Sequence, residues 1–326
     1  MNPSARYTRR ELFLSLAGMA GAALLAGCAR REPLLRVGSN VWPGYELLYV
    51  AQQQGVLDPA QVRLVRMGSA TLVLQALAAG QLEAACLTLD EVLSAIADGI
   101  PLRVIAVFDF SQGADAVLAR PGLRTAAELK GKRVCVEKSA VGAVMLDAFL
   151  KHRHLELADL ELHYATVDEH AEEYRSGHSD IVVTFSPIIE QLEKLGAQRI
   201  FDSRQIPGRI VDVLVTTEAS LQRAPQALGQ VVAAQFSMLA QMKADLTSLA
   251  PHLAAGLGIP VDEVPGAYAG MELLDLAANR QWLTGEPAPL EKIAAELQEI
   301  MLGARLLSAK VPVAQLVDPS LLPRGG

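Results

Sequence analysis

Aromatic, acidic and turn-forming residues lie together in one stretch near the N-terminus, residues 39–55, with the sequence SNVWPGYELLYVAQQQG. The stretch follows an apolar run that predicts a β-strand, and it leads into a segment typical of a helix. Trp42 and Tyr45 offer flat amphipathic faces, and a cation over such a face gains about 0.5–2 kcal/mol. Pro43-Gly44 predicts a sharp turn that exposes both rings. The stretch therefore predicts one wall of a small-molecule site; the alternative is that Trp42 simply fills the core.

Polar side chains stand after the other predicted strands as well. The hydroxyl and amide groups are those of Asn40, Ser69, Thr71, Thr88, Ser139, Thr184 and Ser186. The carboxylates are those of Glu46, Asp90, Asp109, Asp115, Glu137 and Asp212, and Lys138 is the one basic residue at these junctions. Because a buried carboxylate needs a partner, we expect at least one of them to face a cationic nitrogen on a ligand. The alternative is an anionic ligand, since helix N-termini attract negative charge.

Some of these polar residues also have a purely structural explanation. Thr88 with Glu91 three residues later fits a capping box. Ser186 before Pro187 fits an N-cap followed by proline at the first helical position. Ser139 likewise fits an N-cap. A cap stabilises a helix by about 1 kcal/mol whether or not a ligand exists, so both explanations stay open for these residues.

The residues that catalysis would need are not grouped in this sequence. It contains no Ser/His/Asp order, no histidine cluster with metal-ligand spacing and no glycine-rich phosphate loop. We therefore predict no catalytic residue, no metal and no cofactor, and we expect the protein not to be an enzyme.

The elements that position these residues alternate between strand and helix, and they do so twice. The first series covers residues 34–108 and the second covers residues 133–195, which is the pattern of an α/β fold with largely parallel sheets. The two series share a matched segment, in which Gly80, Glu83 and Thr88 correspond to Gly177, Asp180 and Thr184. This match suggests two similar lobes, although Gly-x-x-Asp/Glu is also a common helix–strand connection. Ligands of such folds bind beyond the carboxyl ends of the strands.

The N-terminus has the pattern of an export signal. Arg6, Arg9 and Arg10 precede a nearly uncharged run, and the run ends in Leu-Ala-Gly-Cys28. The tetrapeptide matches the bacterial lipobox, which predicts a signal peptide at residues 1–27, lipidation at Cys28 and a tether at residues 28–33. The alternative is an ordinary secretory signal, and Arg9-Arg10 leaves twin-arginine or general secretion open. We predict a location on the periplasmic side of the cytoplasmic membrane or at the cell surface, with membrane contact through the lipid alone.

Charge and cysteine usage restrict the function classes further. Removal of residues 1–27 would leave 26 basic and 35 acidic side chains, and this acidic balance argues against nucleic-acid binding. Cys86 and Cys135 each lie in an apolar run, as buried inert thiols do. A disulfide is the alternative in an exported protein, but the two cysteines fall in different predicted lobes, so we expect free thiols.

Two segments resemble a known protein family. They are TAAELKGKRVCVEKSAVGAVML at residues 125–146 and GYELLYVAQQQGVL at residues 44–57. Together with the order of elements, they resemble the substrate-binding proteins of ABC importers, of the nitrate/sulfonate/taurine type. That group shares its fold with proteins that bind thiamine pyrimidine precursors.

The resemblance implies a two-lobed, type II periplasmic-binding-protein fold, also called a Venus flytrap, with a ligand cleft between the lobes. Lobe 1 would comprise residues 34–117 plus 218–326, and lobe 2 residues 118–217. The implied function is capture of a small organic molecule and its delivery by a monomer to an ABC permease in the inner membrane. By position, the ligand-contacting loops would be those of Trp42, Tyr45, Ser69, Thr71, Thr88, Asp90, Ser139, Thr184 and Ser186. A signalling receptor for a membrane partner is the main alternative, because the same closed form would serve either partner.

Overall fold

The computed structural model describes residues 32–138 and 140–324, and its strands form two separate sheets. The first sheet consists of β1 (Leu35–Ser39), β2 (Val62–Arg66), β3 (Ala84–Thr88), β4 (Leu102–Ser111), β10 (Val211–Thr217) and β11 (Met271–Leu273). Its strand order is β11-β4-β10-β3-β1-β2. Strand β1 pairs in parallel with β2 and β3, whereas β10 is antiparallel to β3 and β4. The first sheet is therefore mixed.

The second sheet is smaller and is also mixed. It consists of β5 (Asp115–Ala119), β6 (Arg133–Val136), β7 (Glu161–Tyr164), β8 (Ile181–Phe185) and β9 (Gln198–Asp202). The strand order is β7-β6-β8-β5-β9. Strand β6 is parallel to β7 and β8, and β5 is antiparallel to β8 and β9. Strands β3 and β8 are buried over their whole length, because helices cover both faces of the sheets.

Helices follow most strands and cover the sheets. In chain order they are α1 (Pro43–Gln53), α2 (Ala70–Ala78), α3 (Leu89–Ala97), α4 (Ala126–Leu129), α5 (Ala140–Arg153), α6 (His170–Arg175), α7 (Ile188–Lys194), α8 (Glu218–Arg223), α9 (Pro225–Ala244), α10 (Leu246–Leu257), α11 (Val264–Tyr268), α12 (Leu276–Leu283) and α13 (Pro289–Gly303). Short 3₁₀ turns occur at Leu157–Asp159, Val167–Glu169, Ser203–Gln205, Val261–Glu263 and Pro319–Leu321. Two sheets covered by helices confirm the predicted α/β class.

The chain crosses between the sheets at two places. It leaves the first sheet after Ser111 and enters the second at Asp115, then leaves the second after Asp202 and returns to the first at Val211. The predicted lobe boundaries, at 117/118 and 217/218, would therefore cut through β5. They would also assign β10, a strand of the first sheet, to lobe 2. Lobe boundaries at residues 112–114 and 203–210 would keep each sheet whole. We therefore propose a division into two lobes at these crossings.

The beginning of α1 differs from the sequence prediction. Pro43 and Gly44 are the first two residues of the helix rather than a turn, and Trp42 is its N-cap. Both rings are buried, with 3% of Trp42 and 2% of Tyr45 exposed, so the predicted exposure of the rings is wrong. Proline is favoured at the first helical position because its missing N–H has no helical partner there.

Cys86 lies in β3 and Cys135 in β6, and both thiols are free and buried, which confirms the expectation of free thiols. No helix within residues 32–138 and 140–324 is both long and apolar enough to cross a bilayer. The predicted signal peptide at residues 1–27, the lipidation site Cys28, most of the tether and Ser139 lie outside the described residues.

Candidate ligand-binding site

The two sheets meet through aromatic side chains at their strand ends. Trp42 follows β1 of the first sheet, and Phe185 is the last residue of β8 in the second sheet. Their rings pack edge to face, with centroids 5.6 Å apart and an interplanar angle of 80°. This contact brings the polar side chains of both sheets to a common region.

A small cavity of about 20 Å³ lies beside this aromatic contact. Residues of both sheets and their helices line it, namely Asn40, Trp42, Tyr45, Ala70, Thr88, Glu91, Asp115, Val141, Phe185 and Asp212. A second cavity, of about 10 Å³, is lined by Asp115, Glu137, Val141, Gly142, Met145, Val167, His170, Val183, Thr184 and Phe185. Asp115, Val141 and Phe185 border both cavities, so the two adjoin. Each has space for about one water molecule.

Two acidic side chains lie opposite each other on neighbouring strands beside the first cavity. Asp109 of β4 lies opposite Asp212 of β10. Trp42 Nε1 donates to Asp109 Oδ2 at 3.2 Å, and the Tyr45 hydroxyl donates to Asp212 Oδ1. The remaining oxygens, Asp109 Oδ1 and Asp212 Oδ2, have no hydrogen-bond partner. Burial raises the pKa of both groups well above the usual value; the charge of Asp115 adds to the shift of Asp109, and the charge of Asp109 adds to that of Asp212.

Glycine at position 44 permits this arrangement. A Cβ atom there would collide with Asp109 Oδ2 and would lie 3.0 Å from Trp42 Nε1. The absence of a side chain therefore lets the first turn of α1 approach the Asp109 carboxylate closely.

A further carboxylate enters the first cavity from the beginning of α3. The backbone N–H of Thr88 donates to Glu91 Oε2 at 2.9 Å, so the capping explanation holds for this oxygen. Glu91 Oε1 and Thr88 Oγ1 have no partner. Burial raises the pKa of Glu91 well above its usual value, and the charge of Asp90 adds to this shift. Glu91 thus caps a helix with one oxygen and lines the cavity with the other.

Asp115 and Glu137 come from the second sheet. Asp115 Oδ2 has no partner, and burial raises the pKa of Asp115 to about 7. Glu137 Oε1 accepts from the backbone N–H of Thr71 at 3.4 Å and from Thr71 Oγ1 at 3.3 Å. Glu137 Oε2 has no partner, and burial raises the pKa of Glu137. Because Thr71 lies in the first turn of α2 beside the first sheet, Glu137 links the two halves of the site.

A neutral histidine lines the second cavity. His170 Nδ1 lies 3.0 Å from Thr184 Oγ1, and His170 Nε2 has no partner. Burial lowers the pKa of His170 to about 4, so the imidazole is uncharged at neutral pH. His170 therefore adds a polar atom but no positive charge.

Arg66 of β2 is engaged outside the cavity walls. Arg66 forms an ion pair with Glu46 and lies with its guanidinium 4.0 Å from the centroid of the Tyr49 ring. Arg66 also donates to the Gly256 carbonyl oxygen at 3.1 Å. Neither Arg66 nor Glu46 lines a cavity, and Lys138 is exposed. Within the described ranges, neither cavity is lined by a lysine or an arginine.

The structure brings together about half of the predicted site residues at the cavities. These are Asn40, Trp42, Tyr45, Thr88 and Asp212 at the first cavity, Glu137 and Thr184 at the second, and Asp115 at both. Asp109 does not line either cavity, but it accepts the hydrogen bond from Trp42 Nε1. Ser69 accepts from Leu72 N at 3.3 Å as the N-cap of α2, beside Thr71.

The remaining predicted residues lie outside the cavity walls. Glu46 is paired with Arg66, and Asp90 is fully buried behind the site with both oxygens unpartnered. Ser186 Oγ donates to Glu190 Oε1 at 2.9 Å, and Pro187 rather than Ser186 is the N-cap of α7. Phe185, Glu91 and Val141 were missed, although Phe185 directly follows Thr184 and the strand-end pattern could have included it.

A protein-family model, described as NMT1/THI5 like, matches residues 42–245. The chain belongs to this family. The matched range begins at Trp42 and contains every lining residue of both cavities except Asn40. A comparison with curated protein sequences gives no significant match.

Solved structures of similar fold include two alkanesulfonate-type binding proteins. The alkanesulfonate-binding protein SsuA from Xanthomonas axonopodis pv. citri, bound to MOPS, has a TM-score of 0.74 at 20% identity, over 88% of this chain and 98% of that one. The periplasmic aliphatic sulphonate binding protein SsuA from Escherichia coli has a TM-score of 0.68 at 18% identity, over 87% of this chain and 97% of that one. A cysteine-to-serine variant of DszB in complex with biphenyl-2-sulfinic acid has a TM-score of 0.61 at 18% identity, over 89% and 98%. The predicted resemblance is therefore confirmed for family and fold.

Proposed function

We propose that this NMT1/THI5-like protein captures a small organic molecule between its two sheets and delivers it to an ABC importer. The observation that carries the proposal is the Trp42–Phe185 contact, beside which lies a cavity whose polar lining comes from both sheets. Strand ends of open α/β sheets are the usual ligand sites of such folds. The SsuA proteins, named as sulfonate-binding proteins, share the fold.

Capture requires the two sheets to separate, because the cavities of about 20 and 10 Å³ are smaller than an organic ligand. The crossings at residues 112–114 and 203–210 are the places where such a motion can occur. They are joined by Ser111 and Ser203, whose hydroxyl oxygens lie 2.7 Å apart, and by Gly113 N, which donates to Ser203 Oγ at 2.6 Å. These bonds keep the crossings side by side as the sheets move.

The proposal includes export and attachment by a lipid at Cys28. An anchored, monomeric binding protein stays beside a permease in the inner membrane, and two acyl chains are enough for stable attachment. A Cys28→Ser variant should lose incorporation of labelled palmitate and move from the membrane fraction to the soluble fraction. Retention of both properties would refute the lipid anchor without affecting ligand capture.

The location and protonation of the Cys86 and Cys135 thiols support binding without catalysis. DszB, named as a desulfurization enzyme, shows that the fold can host chemistry. Neither Cys86 nor Cys135 lines a cavity here. Burial raises the pKa of Cys86 well above its usual value and that of Cys135 to about 12, so neither is a thiolate nucleophile at neutral pH.

The decisive experiment is to purify residues 29–326 without refolding and to identify the small molecule that accompanies the protein by mass spectrometry. We expect one dominant solute in molar proportion to protein, and re-addition of that solute to stripped protein should raise its Tm. Uptake of the same solute should require the protein together with a permease and an ATPase. If a sensor kinase responds instead and uptake is unaffected, the alternative function as a signalling receptor is correct.

A further inference from the structure

Four carboxyl groups at the cavities each have an oxygen without a hydrogen-bond partner. They are Glu91 Oε1, Asp115 Oδ2, Glu137 Oε2 and Asp212 Oδ2. All four side chains are at least 95% buried, and each lines one or both cavities. A buried polar atom without a partner is costly to the folded state, so four that converge on adjoining cavities make a site where a ligand with donors would be stabilised.

Within the described residues, the walls offer these oxygens no cation, and the neutral donors are few: the Thr88 hydroxyl and any carboxyl group that is protonated. As described above, no lysine or arginine within the described ranges lines the cavities, and Arg66 is paired with Glu46. Of the potential donors in the walls, Tyr45 already serves Asp212 and Trp42 already serves Asp109. His170 is neutral and faces Thr184.

An anion fits this lining poorly. Sulfonate oxygens are acceptors only, so they would find a donor among these groups only where a carboxyl group stays protonated. Like charges in a low-dielectric cavity repel strongly. A protonated nitrogen satisfies the same oxygens with charge-assisted hydrogen bonds, and the Trp42 and Phe185 rings offer apolar walls beside it.

The four carboxyl groups lie on both sheets, and this places a second requirement on the ligand. Asp212 of β10 and Glu91 of α3 belong to the first sheet and its helices, whereas Asp115 of β5 and Glu137 after β6 belong to the second. A ligand with donors on one side only would leave the carboxylates of the other sheet without partners.

We propose that the ligand is a small organic cation whose nitrogen donors bind Asp212 and Glu91 on one side and Asp115 and Glu137 on the other. This inference rests on the proposed function and narrows it, because the similar solved SsuA structures are named as sulfonate binders. Because such a ligand contacts carboxyl groups of both sheets, it also stabilises the form in which the two sheets lie close together.

The test is a thermal-shift and calorimetric panel at pH 7.5 on stripped protein, with compounds matched in size and opposite in charge. The cations are ethylamine, butane-1,4-diamine and benzamidine, and the anions are ethanesulfonate, butane-1,4-disulfonate and benzenesulfonate. At 10 mM we expect at least one cation to raise the Tm by about 2 °C or more. The anions should have no effect, and the diamine should bind more tightly than ethylamine.

Two single-atom variants test the two sides separately. Asp212→Asn on the first sheet and Glu137→Gln on the second should each weaken binding of the best cation by about tenfold or more. Glu190→Gln is the matched control, because Glu190 is a largely buried acid bonded to Ser186 and lines neither cavity. Its affinity should equal that of the unmodified protein.

The outcomes separate this inference from the proposed function. Stabilisation by anions alone overturns the cation assignment and leaves solute capture in place. Equal affinity of the diamine and ethylamine, or loss in one variant only, overturns the two-sided arrangement. If no cation stabilises the protein, the assignment is also overturned, and the co-purified molecule then decides the proposed function by itself.

Discussion

The Tyr45 hydroxyl donates to one oxygen of Asp212, and the second oxygen of Asp212 lies at the cavity without a partner. Tyr45 is in the first turn of α1 and Asp212 is in β10, 167 residues apart in sequence. The bond therefore fixes the helix that carries Trp42 against the strand that carries a candidate ligand-binding carboxylate. It also leaves one oxygen of Asp212 available to a ligand.

Tyr45→Phe should destabilise the protein by about 1–3 kcal/mol, because it leaves a buried carboxylate oxygen without its donor. Urea unfolding measures this as a lower midpoint with an unchanged slope. Tyr49→Phe is the matched control: the Tyr49 hydroxyl lies 2.8 Å from the neutral Ser39 hydroxyl and is half-buried. Equal effects of the two variants would contradict a special role for the Tyr45–Asp212 bond.

The stability of the ligand-free protein should depend on the protonation of Asp115. Burial raises its pKa to about 7 from an ordinary value of 3.8. The folded state therefore keeps a proton that the unfolded state loses. The resulting stabilisation is complete below about pH 4 and is lost as the pH rises through 7.

Asp115→Asn removes this dependence, so its free energy of unfolding should fall less than that of the unmodified protein between pH 4 and pH 7. At about 1.4 kcal/mol per pKa unit, the difference is at most about 4 kcal/mol. The comparison between the two proteins is the measurement, because His170, with its pKa lowered to about 4, changes stability in the opposite direction over part of this range. Parallel curves would contradict the prediction.

The Arg66–Glu46 ion pair should stabilise the fold and take no part in ligand binding. The Glu46 side chain is 1% exposed and that of Arg66 is 29% exposed. Arg66→Met leaves a buried carboxylate alone and should cost about 3–5 kcal/mol in urea unfolding. A second substitution, Glu46→Gln, should recover much of that loss, and the affinity for the co-purified solute should stay the same in the double variant. A large loss of affinity there would instead support an anionic ligand held by Arg66.

The sequence predicted the convergence of strand ends because that rule depends only on local alternation of strand and helix. Trp42, Thr88 and Asp212 were located at the cavity in this way. Glu91 was assigned only to a cap, and the structure shows one oxygen capping and the other at the cavity. A cap motif involves a single oxygen and gives no information on the second.

Other differences arise from contacts between distant elements. Glu46 was predicted at the ligand because it lies in the junction after the first strand, but β2 brings Arg66 alongside. The close approach of Gly44 to Asp109, a residue 65 positions later, is one such contact. Strand β5 was missed because the second sheet receives it in an antiparallel pairing with β8, outside the alternating pattern.

Trp42 should report ligand binding by its fluorescence. The chain contains two tryptophans, Trp42 at the cavity and Trp282, whose ring centroid lies 4.9 Å from that of Phe110. Addition of the co-purified solute should change the emission of a Trp282→Phe variant and leave that of a Trp42→Phe variant unchanged. The opposite pattern would place the ligand away from the first cavity.

Thr71→Val should shift the ligand-free protein toward an open form. Thr71 donates to Glu137 across the two sheets at 3.3 and 3.4 Å, and the variant removes the hydroxyl donor while keeping the backbone one. A lost hydrogen bond of about 0.5–1.5 kcal/mol lowers the ratio of closed to open molecules by roughly two- to tenfold. Small-angle X-ray scattering should record a larger radius of gyration for the variant, independent of salt.

Glu263→Gln provides the comparison for Thr71→Val. It breaks the ion pair between Lys194 of α7, on the second sheet, and Glu263 of the 3₁₀ turn at Val261–Glu263, on the first-sheet side. Because the Lys194 side chain is 56% exposed, this pair should contribute less than about 1 kcal/mol, and 0.5 M salt should abolish its effect. A radius of gyration for Thr71→Val equal to that of the unmodified protein would show that the Thr71–Glu137 bonds do not hold the sheets together.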